Sequence, residues 1–359
     1  MTPAFWKGRR VLVTGHTGFK GSWLCFWLQE MEAVVAGIGL APSTAPSLFD
    51  LLQVDHFCQS HIEDINRPGA LAAAIEAFQP EIVIHMAAQA FVGESYADPV
   101  RTYQTNVLGV VALLDAVRRA PSVRACVVVT SDKCYENREQ IWGYRENDPM
   151  GGHDPYSSSK GAAEIAARSM QRSYFAPYSS DGHPARIATV RAGNVIGGGD
   201  WSAGRLVPDI VQGCLGPNRQ VRLRYPDAIR PWQHVLDVLS AYLLIAERLT
   251  EAGEGYDEAW NIGPALGDGH KVIKVAQAMV DRLGVGKVVV DDAGVVLHEA
   301  TLLALDCTKA RKRLGWCPRL EFDTCLSWTA DWYAEWRRGA DMIEFTRRQV
   351  TAFGNATTP

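Results

Sequence analysis

The stretch VLVTGHTGFKGSWL, residues 11–24, constrains the fold of this 359-residue chain more than any other. An apolar run meets glycines at Gly15, Gly18 and Gly21, and an amphipathic segment then runs to about Met31. A strand that turns sharply into a helix needs this pattern. The first glycine permits the turn, the second lets the backbone approach a pyrophosphate, and the third allows close helix–strand packing. The helix N-terminus then faces the anion, so the motif reads as a dinucleotide site. Its spacing is G-x-x-G-x-x-G rather than G-x-G-x-x-G, which marks a different branch of the fold. Thr17 and Phe19 lie within the loop, and Lys20 either meets phosphate or is solvated.

The rest of the chain alternates strand and helix patterns through its first half. Strands are expected at 10–14, 33–40, 81–85, 124–130 and 186–191, several of them continuous apolar runs suited to a sheet covered on both faces. Helices are expected at 21–31, 69–78, 100–119 and 156–175. Repeated βα units with right-handed crossovers give an α/β, Rossmann-type doubly wound parallel sheet. After about Gly193 the rhythm changes to loops such as GNVIGGGDWSAGRLVPD and RYPDAIRPWQH. The expected division is a dinucleotide-binding domain over 1–192, to which later segments return, and a smaller C-terminal α/β substrate-binding domain over 193–359.

A net charge of −4 with interspersed signs leaves no broad basic face, against a nucleic-acid partner. Eight cysteines lack CxxC pairs or zinc-like spacing and read as reduced thiols, which favours the cytoplasm and no metal. No apolar run approaches the roughly 20 residues that span a bilayer, and MTPAFWKGRR lacks the apolar core of a signal peptide, so no membrane partner is expected. Helices 100–119 and 156–175 carry apolar positions on more than one face, as in a homodimer or homotetramer.

A second constellation lies in DPYSSSKGAAE. Tyr156 and Lys160 are four residues apart, hence on one helical face, where the ammonium can lower the phenol's pKa and ready it as a base. The preceding strand, RACVVVT, ends in TSDKCY, which clusters hydroxyl, carboxylate and ammonium groups at the ligand-bearing edge of such a sheet.

Together these residues resemble the extended short-chain dehydrogenase/reductase family, over essentially the whole chain. Gly15, Gly18 and Gly21, with Thr17, Phe19 and Lys20 between them, match its cofactor loop, and Thr130, Tyr156 and Lys160 match its catalytic triad. Asp64–Ile65 resembles the pair that contacts adenine. HMAAQ, with Ala87, Ala88 and Gln89, resembles the segment below the cofactor, and Asn106 resembles the structural asparagine. The longer motifs TSDKCYEN, RENDPMGGHDPYSSSKG, RAGNVIGGGDW and RPWQHVLD resemble the family's sugar-nucleotide 4,6-dehydratases and imply CDP-D-glucose as the substrate.

The resemblance implies oxidation at C4, loss of water across C5 and C6, and return of hydride to C6 through NAD. Tyr156 would take the C4 hydroxyl proton, and Asp132 would protonate the departing O6, a role that burial favours. Lys133 follows Asp132 where relatives acting on dTDP-sugars carry glutamate. It would remove H5, or else anchor Asp132 or a substrate oxygen while Tyr156 handles H5. Ser131 would touch the sugar. Asn194 would lie near the diphosphate with Arg205 and Arg230 as charged contacts, Pro231 aiming Arg230 and Trp232. His234 reads as a packed loop histidine. Two positions depart from the pattern. Leu40 and Ala41 stand where an acid usually binds the ribose, and no arginine replaces it, which favours NAD and leaves NADP open. Gly93 and Glu94 stand where a basic residue is expected, which leaves the exact sugar open.

Overall fold

Val11 and Val13 face one side of β1 (Arg10–Thr14) and Leu12 the other, and all three are fully buried, so the first strand lies inside a sheet covered on both faces. The computed structural model describes residues 1–251, 255–264, 267, 269–290 and 303–356. The next sheet strands in the chain are β2 (Val34–Gly39), β3 (Cys58–Ile62), β4 (Ile82–His85), β5 (Ala125–Val129) and β6 (Arg186–Ala192). With a late strand, Ala259–Ile262, they form a seven-stranded parallel sheet, which runs from that strand through β6, β5, β4, β1 and β2 to β3.

The order reverses at β1, whose Thr14 lies opposite Ile38 of β2 and His85 of β4. A crevice therefore opens beyond the carboxyl ends of β1 and β4. Helices Phe19–Glu30 and Val235–Glu251 pack on one face, where Trp23, Leu24 and Leu239 join Val11, Val13 and Ile84. Helices Ala70–Phe78, Gly109–Val117 and Pro155–Tyr174 cover the other, through Leu71, Leu113 and Ala163. Each of these buried leucine, valine and isoleucine side chains contributes about 1.5–3 kcal/mol by leaving water.

Three features differ from the sequence expectation. The helix expected over 100–119 is broken into Pro99–Tyr103, a π-helical segment Gln104–Leu108, and Gly109–Val117. The wide turn carries Asn106, whose buried amide has partners on two neighbouring segments. β3 escapes periodicity because CQSHI is an edge strand with only Cys58 buried. The seventh strand, AWNI, comes from the late part of the chain and pairs with β6. Among the described residues, no helix is long and apolar enough to cross a membrane.

Candidate active site

The three glycines of the first loop have separate physical reasons. Gly15 has φ +72°, and a Cβ there would stand 2.8 Å from the Ala87 amide nitrogen. A Cβ on Gly21 would stand 2.1 Å from the Gly15 carbonyl oxygen. The chain itself excludes side chains at both. Gly18 differs. A Cβ there would meet only the Gly15 oxygen, at an ordinary 3.5 Å, and the residue is exposed. It caps helix Phe19–Glu30 with no side-chain cap, so the first-turn N–H groups face the crevice over a bare glycine, as an anion requires. Thr17 Oγ1 donates to the Leu40 carbonyl at 2.7 Å, across the loop after β2. Phe19 reaches Gly197 on the loop after β6. Lys20 donates to the Tyr242 hydroxyl at 3.5 Å. Burial first, then Arg205 and Lys160, push the Lys20 ammonium down to about 7.

Asn106 joins the floor of the crevice to the helix carrying the candidate base. Its Oδ1 accepts from Gln89 N at 2.9 Å, and its Nδ2 donates to Gln89 O at 3.0 Å and to Ser159 Oγ at 2.9 Å. Ser159 in turn donates to the Tyr156 carbonyl at 2.7 Å. Ala87 N donates to Thr14 Oγ1 at 3.0 Å, and Ala88 lies half-buried between Ala87 and Gln89. At the far end, Asp64 Oδ1 accepts from Asn66 N at 2.9 Å, while Ile65 is buried against Gly109.

Helix Pro155–Tyr174 starts where its sequence dictates: Asp154 Oδ1 accepts from Ser157 N at 2.9 Å, with Pro155 in the first turn. That start puts Tyr156, Lys160 and Glu164 on one buried face. Lys160 Nζ lies 6.0 Å from the Tyr156 ring centroid, and burial lifts the phenol to about 12, opposed by a hydrogen bond with Ser131. Lys160 is itself pushed down to about 8 by burial, against the pull of Glu164.

The strand-end hydroxyl of Thr130 has a partner of its own. Thr130 Oγ1 donates to Glu164, within a buried cluster in which Glu164 Oε2 pairs with Arg191 at 2.8 Å and accepts from Thr189 Oγ1 at 2.7 Å. The next residue carries the hydroxyl that meets Tyr156. Ser131 Oγ donates to Asp132 Oδ1 at 2.9 Å and accepts from Lys133 N at 3.2 Å, and its hydroxyl opposes the rise of the Tyr156 phenol. Tyr156, Ser131 and Asp132 thus form one buried polar line. Lys133 is half-buried on the same short turn, Asp132–Cys134, and among the described residues no carboxylate pairs with it.

The second wall comes from later segments. Arg205 pairs with buried Asp200 at 3.1 Å, stacks on Phe91 at 4.9 Å, and is close enough to oppose the rise of the Tyr156 phenol. Asn194 holds a left-handed turn (φ 36°) after β6, and its carbonyl accepts from Gln233 N at 3.2 Å. Arg230 and Trp232 are buried, and Trp232 Nε1 donates to His270 O at 3.4 Å. Arg230 sits on the short strand Ile229–Pro231, opposite His270 of the antiparallel strand Gly269–Lys271, so this pair belongs to the outer part of the wall. His234 is fully buried between Trp23 and Trp328 and burial lowers it to about 3, as a packed histidine. Sequence reading missed Glu164, although its place four residues after Lys160 is a signal, and Asp200, Phe91 and Tyr242, for which spacing offers none.

The sequence matches the family model described as GDP-mannose 4,6 dehydratase over residues 12–329. It is 48% identical to the CDP-glucose 4,6-dehydratase of Salmonella typhimurium over 99% of this chain and 98% of that one. It is 29% identical to a dTDP-glucose 4,6-dehydratase of Streptomyces antibioticus over 90% and 92% of the two chains. Among solved structures, a Thermotoga maritima UDP-glucose 4-epimerase with UDP-glucose aligns with TM-score 0.77 at 23% identity over 92% of this chain and 99% of that one. A Bacillus anthracis dTDP-glucose 4,6-dehydratase in complex with NAD aligns with TM-score 0.74 at 23% identity, over 94% and 100%. These two structures establish likeness of fold.

Proposed function

The chain belongs to the GDP-mannose 4,6 dehydratase family, and from that premise we propose that it converts CDP-D-glucose to CDP-4-keto-6-deoxy-D-glucose and water, as an NAD-dependent hydro-lyase of deoxysugar biosynthesis. The observation that carries dehydration over epimerisation is the buried Asp132 carboxyl on the Ser131–Tyr156 line, since C4 epimerisation has no water to expel. The choice of nucleotide follows the near-full-length relative.

The residues fit NAD. Bare Gly18 and the uncapped helix start suit its pyrophosphate, with Thr17, Phe19 and Lys20 around it. Asp64 and Ile65 would flank the adenine, and Ala87, Ala88 and Gln89, held by Asn106, would lie beneath. Leu40, exposed at the end of β2, offers no cation for a 2′-phosphate. When bound, NAD supplies a hydride acceptor for C4 and a hydride donor for C6.

This chain's groups move the protons. Tyr156 takes the C4 hydroxyl proton as the phenolate, the form that the neighbouring Ser131 hydroxyl and Arg205 guanidinium favour, with Lys160 Nζ 6.0 Å from its ring centroid. The resulting ketone acidifies H5, which Lys133 as the neutral amine removes and returns to C5 once the water has left and C6 is reduced. Asp132 protonates O6 as it leaves. Asn194, Arg205, Arg230 and Trp232 hold the sugar nucleotide, so residues 1–192 chiefly serve the dinucleotide and 193–359 the substrate. Val100, Leu108 and Ile165 are exposed along adjoining helices, and we place a second copy of the chain there, in a cytoplasmic homodimer or homotetramer.

Purified protein incubated with NAD and CDP-glucose carrying deuterium at C4 should release a 4-keto product with the label at C6. A 4-epimer as the sole product would overturn the reading.

A further inference from the structure

We infer that Gly193 is a positioning residue for water elimination, because the space its missing side chain leaves is the seat of the Asp132 carboxyl. The inference rests on the reading of Asp132 as the acid for O6. Gly193 is buried just beyond β6, at the carboxyl edge of the sheet. A Cβ there would stand 1.9 Å from Asp132 Oδ2, 2.5 Å from Cγ and 3.1 Å from Oδ1.

Backbone conformation does not explain the glycine. The left-handed residue of this turn is Asn194, and Gly193 is not among the positive-φ glycines. The three atoms nearest such a methyl group all belong to the Asp132 carboxyl. The backbone cannot back away cheaply, because Gly193 O accepts from Gln233 Nε2 at 2.9 Å. The same amide donates to Ile262 O at 3.2 Å, on the sheet's last strand. On its other side Asp132 is held by Ser131 at 2.9 Å. One hydroxyl and one void thus fix the carboxyl, with Tyr156 and Lys20 as charged or ionisable neighbours. A side chain at 193 would turn the carboxyl off that line while leaving Tyr156, Lys160 and the glycine loop in place.

The test compares Gly193→Ala, Asp132→Ala and the double variant with wild type, as full-length protein with NAD and CDP-glucose. Mass spectrometry of quenched single turnovers separates untouched substrate, sugar oxidised at C4 with O6 retained, and dehydrated product. Gly193→Ala should slow water loss about a hundredfold, the scale of a misplacement near 1 Å, and accumulate the oxidised sugar. Because the clash needs the carboxyl, the effects of the two substitutions on unfolding should be non-additive, Gly193→Ala costing less in the Asp132→Ala background. If Gly193→Ala alone does not fold, recovery of folding in the double variant supports the same seat. Normal turnover by Gly193→Ala, parallel loss of oxidation and elimination, or additive unfolding effects would overturn the inference. Normal water loss by Asp132→Ala would instead overturn the assignment of the acid.

Discussion

Thr130 gives its hydroxyl to Glu164, while its neighbour Ser131 gives its own to Asp132 and opposes the rise of the Tyr156 phenol. The strand end thus sends consecutive hydroxyls to different partners, one to a buried ion pair and one to the candidate acid. Ser131→Ala should lower kcat about a hundredfold, the scale of losing a group engaged in proton transfer. Thr130→Val should act mainly on stability, by about 1–3 kcal/mol, through the donor lost to buried Glu164. Rates of 4-keto product formation and urea unfolding of both variants check this. The reverse ranking of kcat would return the triad to Thr130.

The glycine loop predicts two unlike alanine variants. Gly21→Ala collides with the Gly15 carbonyl and should reduce stability with or without cofactor. Gly18→Ala meets one oxygen at 3.5 Å and should unfold like wild type, yet bind NAD at least about tenfold more weakly, or about 1.4 kcal/mol. Calorimetric titration with NAD beside thermal unfolding distinguishes the two.

Glu164 and Arg191 form an ion pair only 4% and 3% exposed, and that pairing, with the donors around it, holds the Glu164 carboxyl below the usual range despite burial. Glu164→Gln strands a buried guanidinium and should cost about 3–5 kcal/mol. Adding Arg191→Met should restore part of the loss in denaturant unfolding. A double variant no more stable than Glu164→Gln would count against a stranded charge.

Asp237, fully buried at the start of helix Val235–Glu251, is raised by burial from 3.8 to about 7, against a hydrogen bond from Arg319 N. Between those values the folded protein keeps a proton that the unfolded chain has released, so this group's contribution to stability falls as pH rises from about 4 through 7. Thermal midpoints across that window should decline for wild type and decline less for Asp237→Asn. Equal slopes would contradict it.

Lys133 as the C5 base predicts that Lys133→Met loses solvent-deuterium incorporation at C5 while C4 oxidation persists. Wild-type incorporation in that variant would transfer the role to Tyr156.

Much of this site was legible because its parts obey short-range rules. Glycine spacing after an apolar run announced the loop, and Asp154-Pro155 before Tyr156 marks a helix start that places Lys160 one turn on. What was hidden depends on direction or distance. Thr130 and Ser131 are chemically alike and adjacent, so composition could not say which faced Tyr156; strand alternation and the position of Glu164 decide it. The break at Gln104–Leu108 was hidden because the residues around it keep helical periodicity. β3 and the AWNI strand were missed because one is mostly exposed and the other is only four residues long and remote in sequence from β6.

That last strand makes the two halves inseparable during synthesis. Until residue 262 has emerged, β6 presents an unpaired edge, and Tyr135, whose hydroxyl donates to Asn261 at 2.7 Å and accepts from Arg191 at 2.6 Å, lacks one of its partners. A nascent or excised fragment ending near residue 192 would therefore hold the entire glycine loop yet keep a sticky, half-wired flank beneath its reactive end.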